Sequence, residues 1–275
     1  MRVALVQLNA SDDPLANLDI TEGFVRAAAA GGARLALTPE VTNLVSFSRA
    51  HQNAVLCRQE EDPTLGRLSA VTAELGIWLL IGSLALKTGG GRFVNRSFLL
   101  RPDGTIAATY DKIHMFDVEL ADGESYRESA AFRPGGKAVL ADIGKAKIGM
   151  TICYDMRFPY LYRQLAKAGA GVFSVPSAFT VPTGRAHWHA LLRARAIETG
   201  AFVLAPAQTG THASANGPQR RTFGHSLAVS PWGTVLADAG TAPGVTPVDL
   251  DLKEVETARR RIPALTHDRD YSGPG

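Results

Sequence analysis

Cys153 ends an apolar run in the stretch KIGMTICYDMRFP (147–159), and a polar, aromatic turn and the helical pattern LYRQLAKAG follow directly. This reads as a buried strand feeding a helix, with a thiol at the junction. There the sulfur would face the first unpaired N–H groups of the helix, whose partial positive charge favours thiolate over thiol. Most cysteines in such runs are small buried hydrophobes. This one is set apart by two other segments that end in groups a sulfur nucleophile needs. Glu40 follows Pro39 where the run Leu35–Leu37 stops, and Lys112 lies in Tyr110-Asp111-Lys112-Ile113-His114. Brought together, Cys153 would attack a carbonyl carbon, Glu40 would take the thiol proton and return it to a leaving amine, and Lys112 would neutralise the developing oxyanion. The backbone N–H of Tyr154 would be a second oxyanion donor.

The elements that must deliver these groups alternate between strands and helices, interrupted by hairpins. Predicted strands are Arg2–Leu8, Leu35–Leu37, Ile77–Gly82, Ala138–Ala141, Val172–Val175, Ala201–Ala207 and Val245–Leu250. Predicted helices are Asn17–Ala30, Thr64–Leu75 and Arg185–Thr199, each stopped by glycine. Phe93–Leu100 with Thr105–Tyr110, and Phe223–Val229 with Val235–Ala239, read as hairpins across RPDG and PWG. From Met115 to Gly136 no periodicity persists; this long loop, which holds Glu124 and Glu128, is of a kind usually functional or disordered. No composition break or linker divides residues 1–275, so a single α/β domain is expected, with an extended or interface-forming tail from about residue 262.

Composition narrows the function classes. At 45% hydrophobic and 20% charged residues the chain can bury a sizeable core. Its net charge of +3 is dispersed, so nucleic acid is not an expected partner. No apolar run approaches the ~18 residues of a membrane span. Two cysteines, Cys57 and Cys153, exclude a disulfide framework in practice and point to a reducing cytoplasm. His187 and His189 are two apart on a predicted helix and project about 200° from one another, so they cannot chelate together. No Cys/His cluster is visible around them, and a metal is not expected.

Several motifs occur together and in order: TPE (38–40), YDKIHMFDVE (110–119), RES and PGG (127–129 and 134–136), and GMTICYDMRFP (149–159). This set resembles the nitrilase superfamily of carbon–nitrogen hydrolases over nearly the whole chain. The resemblance implies a four-layer αββα sandwich, commonly paired across a helical face into homodimers or larger assemblies. It implies a Glu–Lys–Cys triad carried here by Glu40, Lys112 and Cys153, with a second glutamate at Glu128. The segments SAFTVPTGRAHWHALLRARAIETGAFVLAPAQTGTH (177–212) and FGHSLAVSPWG (223–233) are similar to the branch of deaminated glutathione amidases and ω-amidases. That branch hydrolyses small amides with an α-keto acid end, through a thioester and without a cofactor. Phe179 and Thr180 join Tyr154, His114 and Arg157 as candidates for the substrate or oxyanion site. Asp155 and Arg157 flank the nucleophile and are read as orienting it.

One segment departs from that branch. HASANGPQRR (212–221) looks long and carries two arginines, which would suit a carboxylate on the acyl side of the substrate as well as they would a solvated loop. An N-carbamoyl amino acid amidohydrolase or a general aliphatic amidase would use the same triad, and a nitrile carbon is a further electrophile for the thiol. A non-catalytic scaffold is the reading from another class. All three triad positions, however, hold chemically competent residues, and a scaffold has no physical need of them.

Overall fold

Alternation along the strands decides the architecture. In Arg2–Gln7, Val3 and Leu5 join one apolar cluster while Ala4 joins another; Leu35 and Leu37 part from Ala36, and Leu80 parts from Leu79 and Ile81, in the same way. Successive side chains of a strand point to opposite faces, so this sheet is buried on both sides. It runs in the order Gly244–Asp249, Arg2–Gln7, Leu35–Leu37, Trp78–Lys87, Phe93–Leu100 and Ile106–Asp111. A second six-stranded sheet runs Val235–Asp238, Leu227–Val229, Phe202–Ala205, Val172–Ser174, Lys147–Met150 and Val139–Asp142. The computed structural model describes residues 1–119, 125–215 and 217–274; Glu124 of the long loop, Asn216 and Gly275 lie outside the described residues.

Leu5, Leu37 and Leu80 of the first sheet pack in one core with Ile148, Phe173 and Val203 of the second. The outer face of the first sheet is closed by the helices Pro14–Ala30 and Pro63–Leu75, through Leu18, Val25, Leu68 and Val71. Helices Pro159–Lys167 and Val181–Thr199 close the second, with Tyr162, Trp188 and Leu192 fully buried. Fully buried side chains of this size contribute roughly 1.5–3 kcal/mol each. The result is the expected four-layer αββα sandwich in one domain.

Local sequence explains the boundaries. Asp13 accepts hydrogen bonds from the N–H groups of Leu15 and Ala16, and Pro14 fills the first helical position, so the first helix starts three residues earlier than its apolar periodicity shows. The 115–136 segment is not a featureless loop. Asp117–Glu119 pairs with Ser125–Arg127, and Glu128–Ala131 forms one helical turn. Strands of three residues are too short to leave a periodic signature. Likewise Thr209–Thr211 pairs with Arg221–Phe223 across the 212–221 loop. Past Lys253–Arg261 the chain makes a 3-10 turn at Ala264–Thr266, and Asp268 pairs with Arg163 and Lys167. Among the described residues no helix is long and apolar enough to cross a membrane.

Candidate active site

Both sheets present their reactive groups at the same end. Strands Leu35–Leu37, Trp78–Lys87 and Ile106–Asp111 run in one direction, so the residues just past the first and last of them, Glu40 and Lys112, come out on one edge. Cys153 follows Lys147–Met150, which is parallel to its neighbour Val172–Ser174. Ligand sites of parallel sheets form beyond such carboxyl ends.

The turn carrying Glu40 is heavily constrained. Thr38 Oγ1 accepts from the Gly82 N–H at 3.0 Å, the Val41 N–H donates to Ser83 Oγ at 2.8 Å, and Gln208 Nε2 donates to the Glu40 carbonyl at 3.1 Å. A Cβ on Gly82 would lie 2.0 Å from the Thr38 carbonyl oxygen, so only glycine lets the neighbouring strand pass. Val41 has φ +49°, an outlier for a β-branched residue. Glu40 itself accepts from Lys112 Nζ at 2.8 Å and Asn95 Nδ2 at 2.9 Å on one oxygen, and from the Ala178 N–H at 2.8 Å on the other. Lys112 Nζ also reaches both oxygens of Glu128, at 3.0 and 2.8 Å, and Glu128 accepts from the Phe116 N–H at 2.7 Å. One buried ammonium thus lies between two carboxylates.

The sequence predicts that the helix begins at the thiol. Instead Cys153–Arg157 is a 3-10 turn, and the helix proper starts at Pro159. Cys153 adopts φ +47°, a strained conformation for a non-glycine residue and one that clusters at functional sites. Asp155, fully buried, holds the turn in place. Its Oδ2 accepts from Tyr110 Oη at 2.7 Å and the Ile152 N–H at 2.9 Å; its Oδ1 accepts from the His114 N–H at 3.0 Å and lies 2.7 Å from His114 Nδ1. The segment carrying Lys112 and the turn carrying Cys153 are therefore tied together through one carboxylate, the orienting part expected of Asp155.

Burial and neighbours set the charge states. Burial opposes ionisation of Glu40, but Lys112 outweighs it and draws the carboxyl below its ordinary pKa. Burial likewise works against the Lys112 ammonium, and Glu128 and Glu40 together hold it well above its usual value. The thiol goes the other way from the sequence expectation: burial, with Glu40 beside it, pushes the Cys153 pKa up against the pull of Lys112 and the Ala178 N–H. These directions favour a neutral thiol beside an ionised carboxylate and ammonium.

These groups floor a cavity of about 260 Å³. Glu40, Lys112, Glu128, Cys153, Phe179 and Thr180 line it together. The side chains of Tyr154, His114 and Arg157 are placed beside it: His114 stacks on Phe158 with ring centroids 3.6 Å apart, Tyr154 meets Phe116 and Phe158 edge-on, and Arg157 approaches His187 Nδ1 at 3.2 Å. Of the two loop arginines, Arg220 lines the cavity and donates to the Ala178 carbonyl at 2.5 Å, while its Nε is buried and unpaired; Arg221 is exposed. Sequence reading passed over Asn95 and the N–H groups of Ala178 and Phe116. Asn95 left a trace, a polar residue inside the apolar strand FVNRSFLL; backbone donors leave none.

The carbon–nitrogen hydrolase family matches residues 2–260. Deaminated glutathione amidase of Yersinia enterocolitica is 37% identical over 274 residues, covering 98% of this chain and 93% of that protein. Human omega-amidase NIT2 is 34% identical over 268 residues, covering 98% and 95%. The crystal structure of Saccharomyces cerevisiae Nit3, a member of branch 10 of the nitrilase superfamily, superposes with a TM-score of 0.85 at 29% identity, covering 98% of this chain and 97% of that one. A buried thiol beside a paired carboxylate, in a four-layer sandwich matched from end to end, leads to one conclusion: the chain belongs to the carbon–nitrogen hydrolase family and is an amidase acting on carbon–nitrogen bonds other than peptide bonds.

Proposed function

We propose that the chain hydrolyses a small, carboxylate-bearing amide of the deaminated glutathione class through a thioester on Cys153. The observation that carries this is the ammonium of Lys112 bridging Glu40 and Glu128 at 2.8 Å each, at the floor of the cavity that holds the thiol. Glu40 accepts the Cys153 proton as sulfur attacks the amide carbon. Lys112 Nζ and the Tyr154 N–H receive the oxyanion. The protonated Glu40 then delivers its proton to the departing nitrogen, and ammonia or an amine leaves. Water, deprotonated by Glu40, adds to the thioester, and as the intermediate collapses to the acid Glu40 returns that proton to the departing sulfur. Glu128 fixes the ammonium on the side away from Glu40, so that Lys112 does not follow the carboxylate as it gains and loses its proton.

Arg220 supports the substrate class. Its guanidinium lies in the cavity wall over Phe47, 5.9 Å from the ring centroid, where it would meet an acyl-side carboxylate. Thr180 and Thr183 add hydroxyls on the same lining, and Phe116 and Phe179 supply apolar faces for a short carbon chain. An N-carbamoyl amino acid would offer the same carboxylate, and the comparison of substrates decides between them. The site works as a reducing-compartment, cytoplasmic enzyme, consistent with two free cysteines, and the helical layer of Pro159–Lys167 and Val181–Thr199 is the face on which a homodimer would form.

The test is product release from deaminated glutathione, α-ketoglutaramate, an N-carbamoyl amino acid and a simple nitrile. Turnover of the first, abolished in Cys153→Ala with the fold retained, is the expected result. Turnover that survives Cys153→Ala, or is confined to the nitrile, would sink the reading.

A further inference from the structure

The sequence offers His187 and His189 as its only close histidine pair and dismisses it. The fold separates them and builds a different cluster. His187 turns to Arg157, whereas His189, on the helix Val181–Thr199, meets His225 from the turn after Arg221–Phe223 and Asp238 from the end of Val235–Asp238. These residues play no part in the chemistry above.

From this cluster we infer a divalent transition-metal site formed by His189 Nε2, His225 Nδ1 and the Asp238 carboxylate. His189 Nε2 lies 2.9 Å from one oxygen of Asp238 and His225 Nδ1 lies 2.9 Å from the other, and the three ligand atoms fall within 4.8 Å of one another. Bonds of ~2.0–2.1 Å to a shared ion put neighbouring ligand atoms about 3.0–3.4 Å apart. Each imidazole nitrogen is already 2.9 Å from an oxygen of Asp238, but from a different one, so the carboxylate binds through both oxygens or rotates to bring one of them to the ion. The two imidazole nitrogens need to close by at most about 1.4 Å to reach the longer separation, a side-chain adjustment. Two imidazoles and a carboxylate with open positions suit zinc, nickel, cobalt or iron(II) better than magnesium or calcium, which prefer oxygen donors.

The ligands are preorganised by contacts that serve no other evident end. His225 sits at φ +57°, a region that costs a non-glycine residue energy. Its backbone is gripped from both sides, with the N–H donating to Gly240 at 2.6 Å and the carbonyl accepting from Trp188 Nε1 at 2.8 Å. Its ring stacks on Phe223 at 4.5 Å. The Gly240 N–H donates to Asp238 at 2.9 Å and aims that carboxylate. All three side chains keep between a quarter and two fifths of their surface open, so an ion has a path in. Such outer contacts fix ring orientation in metal sites.

An ion here would pin the helix Val181–Thr199 to the hairpin Leu227–Val229/Val235–Asp238. Phe223, stacked on His225, packs against Gly184 of the same helix and donates its N–H to the Phe179 carbonyl at 2.9 Å. Occupancy therefore stiffens the wall that carries Phe179, Thr180 and Thr183, and a higher melting temperature is its expected consequence.

The experiment is titration of untagged, chelator-treated protein with Zn²⁺ by calorimetry, and with Co²⁺ by visible absorption, in the wild type and in Cys153→Ala. The second variant removes the thiol that would otherwise compete for metal. One ion per chain, bound by both proteins and giving a cobalt spectrum without a sulfur charge-transfer band, is the expected result. His189→Ala and, separately, His225→Ala should weaken it by more than ~10²-fold, beyond what losing an outer contact costs. Far-ultraviolet circular dichroism checks that each variant is folded, and His189 is exposed enough to be removed without repacking. Binding that vanishes in Cys153→Ala, that ignores His189→Ala and His225→Ala, or that is absent below ~1 mM of Zn²⁺, Co²⁺ and Ni²⁺ overturns the site and leaves a hydrogen-bonded carboxylate between two imidazoles.

Discussion

Replacing Lys112 by methionine keeps most of the length of the unbranched side chain, one atom short, and deletes its charge. Glu40 and Glu128 then face each other across the space of the former ammonium, both within reach of Asn95 Nδ2 at 2.9 and 3.4 Å. Two buried carboxylates so placed cannot both stay ionised, and one takes up a proton. That protonation sets the cost. Binding a proton at pH 7.5 to a carboxyl of ordinary pKa 4.5 takes 3 units at 1.36 kcal/mol each, about 4 kcal/mol; at pH 5.5 it takes about 1.4 kcal/mol. The sign follows from linkage. In the wild type the lowered Glu40 pKa gives stability that is present above pH ~4.5 and is lost as pH falls through the folded value; in Lys112→Met a carboxyl pKa is raised, so the variant loses stability as pH rises. Urea unfolding of both proteins at pH 5.5, 6.5 and 7.5 should give a gap that widens by about 1.4 kcal/mol per unit, with ammonia release reduced by roughly 10²–10³ at every pH. A gap that is flat with pH, or below about 1 kcal/mol at pH 7.5, would show that the two carboxylates do not depend on this ammonium.

Other perturbations follow from the same geometry. Glu40→Gln puts an amide NH₂ against either the Ala178 N–H or Lys112 Nζ, so kcat should fall by at least ~10² and the melting temperature should drop as well; unchanged turnover would remove Glu40 as the base. Arg220→Met should raise KM about 10- to 100-fold for amides carrying an acyl-side carboxylate, the worth of a charge-assisted hydrogen bond, and leave simple aliphatic amides untouched; an equal effect on both would make Arg220 structural. Gly82→Ala places a methyl 2.0 Å from the Thr38 carbonyl oxygen and 2.4 Å from that of Pro39; soluble expression should collapse, and a well-folded Gly82→Ala enzyme of normal activity would refute the close-approach argument.

The two halves of the site differ in how far the sequence shows them. Glu40, Lys112 and Cys153 each follow an apolar run, which marks a strand end, but Glu and Lys occur at many such places, and it is the motifs TPE, YDKIH and GMTICYD that single them out. Glu128 is legible only through the RES motif, since it lies after a three-residue strand in a stretch without periodicity. The surroundings of the thiol are not legible, because a strand-to-helix junction suggests helix N–H groups at the sulfur, whereas a 3-10 turn intervenes and burial beside a carboxylate governs. Ala178 and Phe116 contribute only N–H groups, which every residue owns. The His189, His225 and Asp238 cluster draws on three segments whose proximity depends on how the second sheet and its helix pack, and nothing in the separate segments announces it.

The pairing of Arg2–Gln7 with Gly244–Asp249 joins strands from opposite ends of the sequence. During synthesis the first strand therefore waits for about 240 residues before one of its two neighbours exists, on the order of ten to fifty seconds at the usual roughly 5–20 residues per second. Throughout that time an apolar strand with an open hydrogen-bonding edge is available to any other extended chain. The burden of keeping this protein from aggregating thus falls on the ribosome-bound stage, and on whatever holds that edge until the last strand arrives.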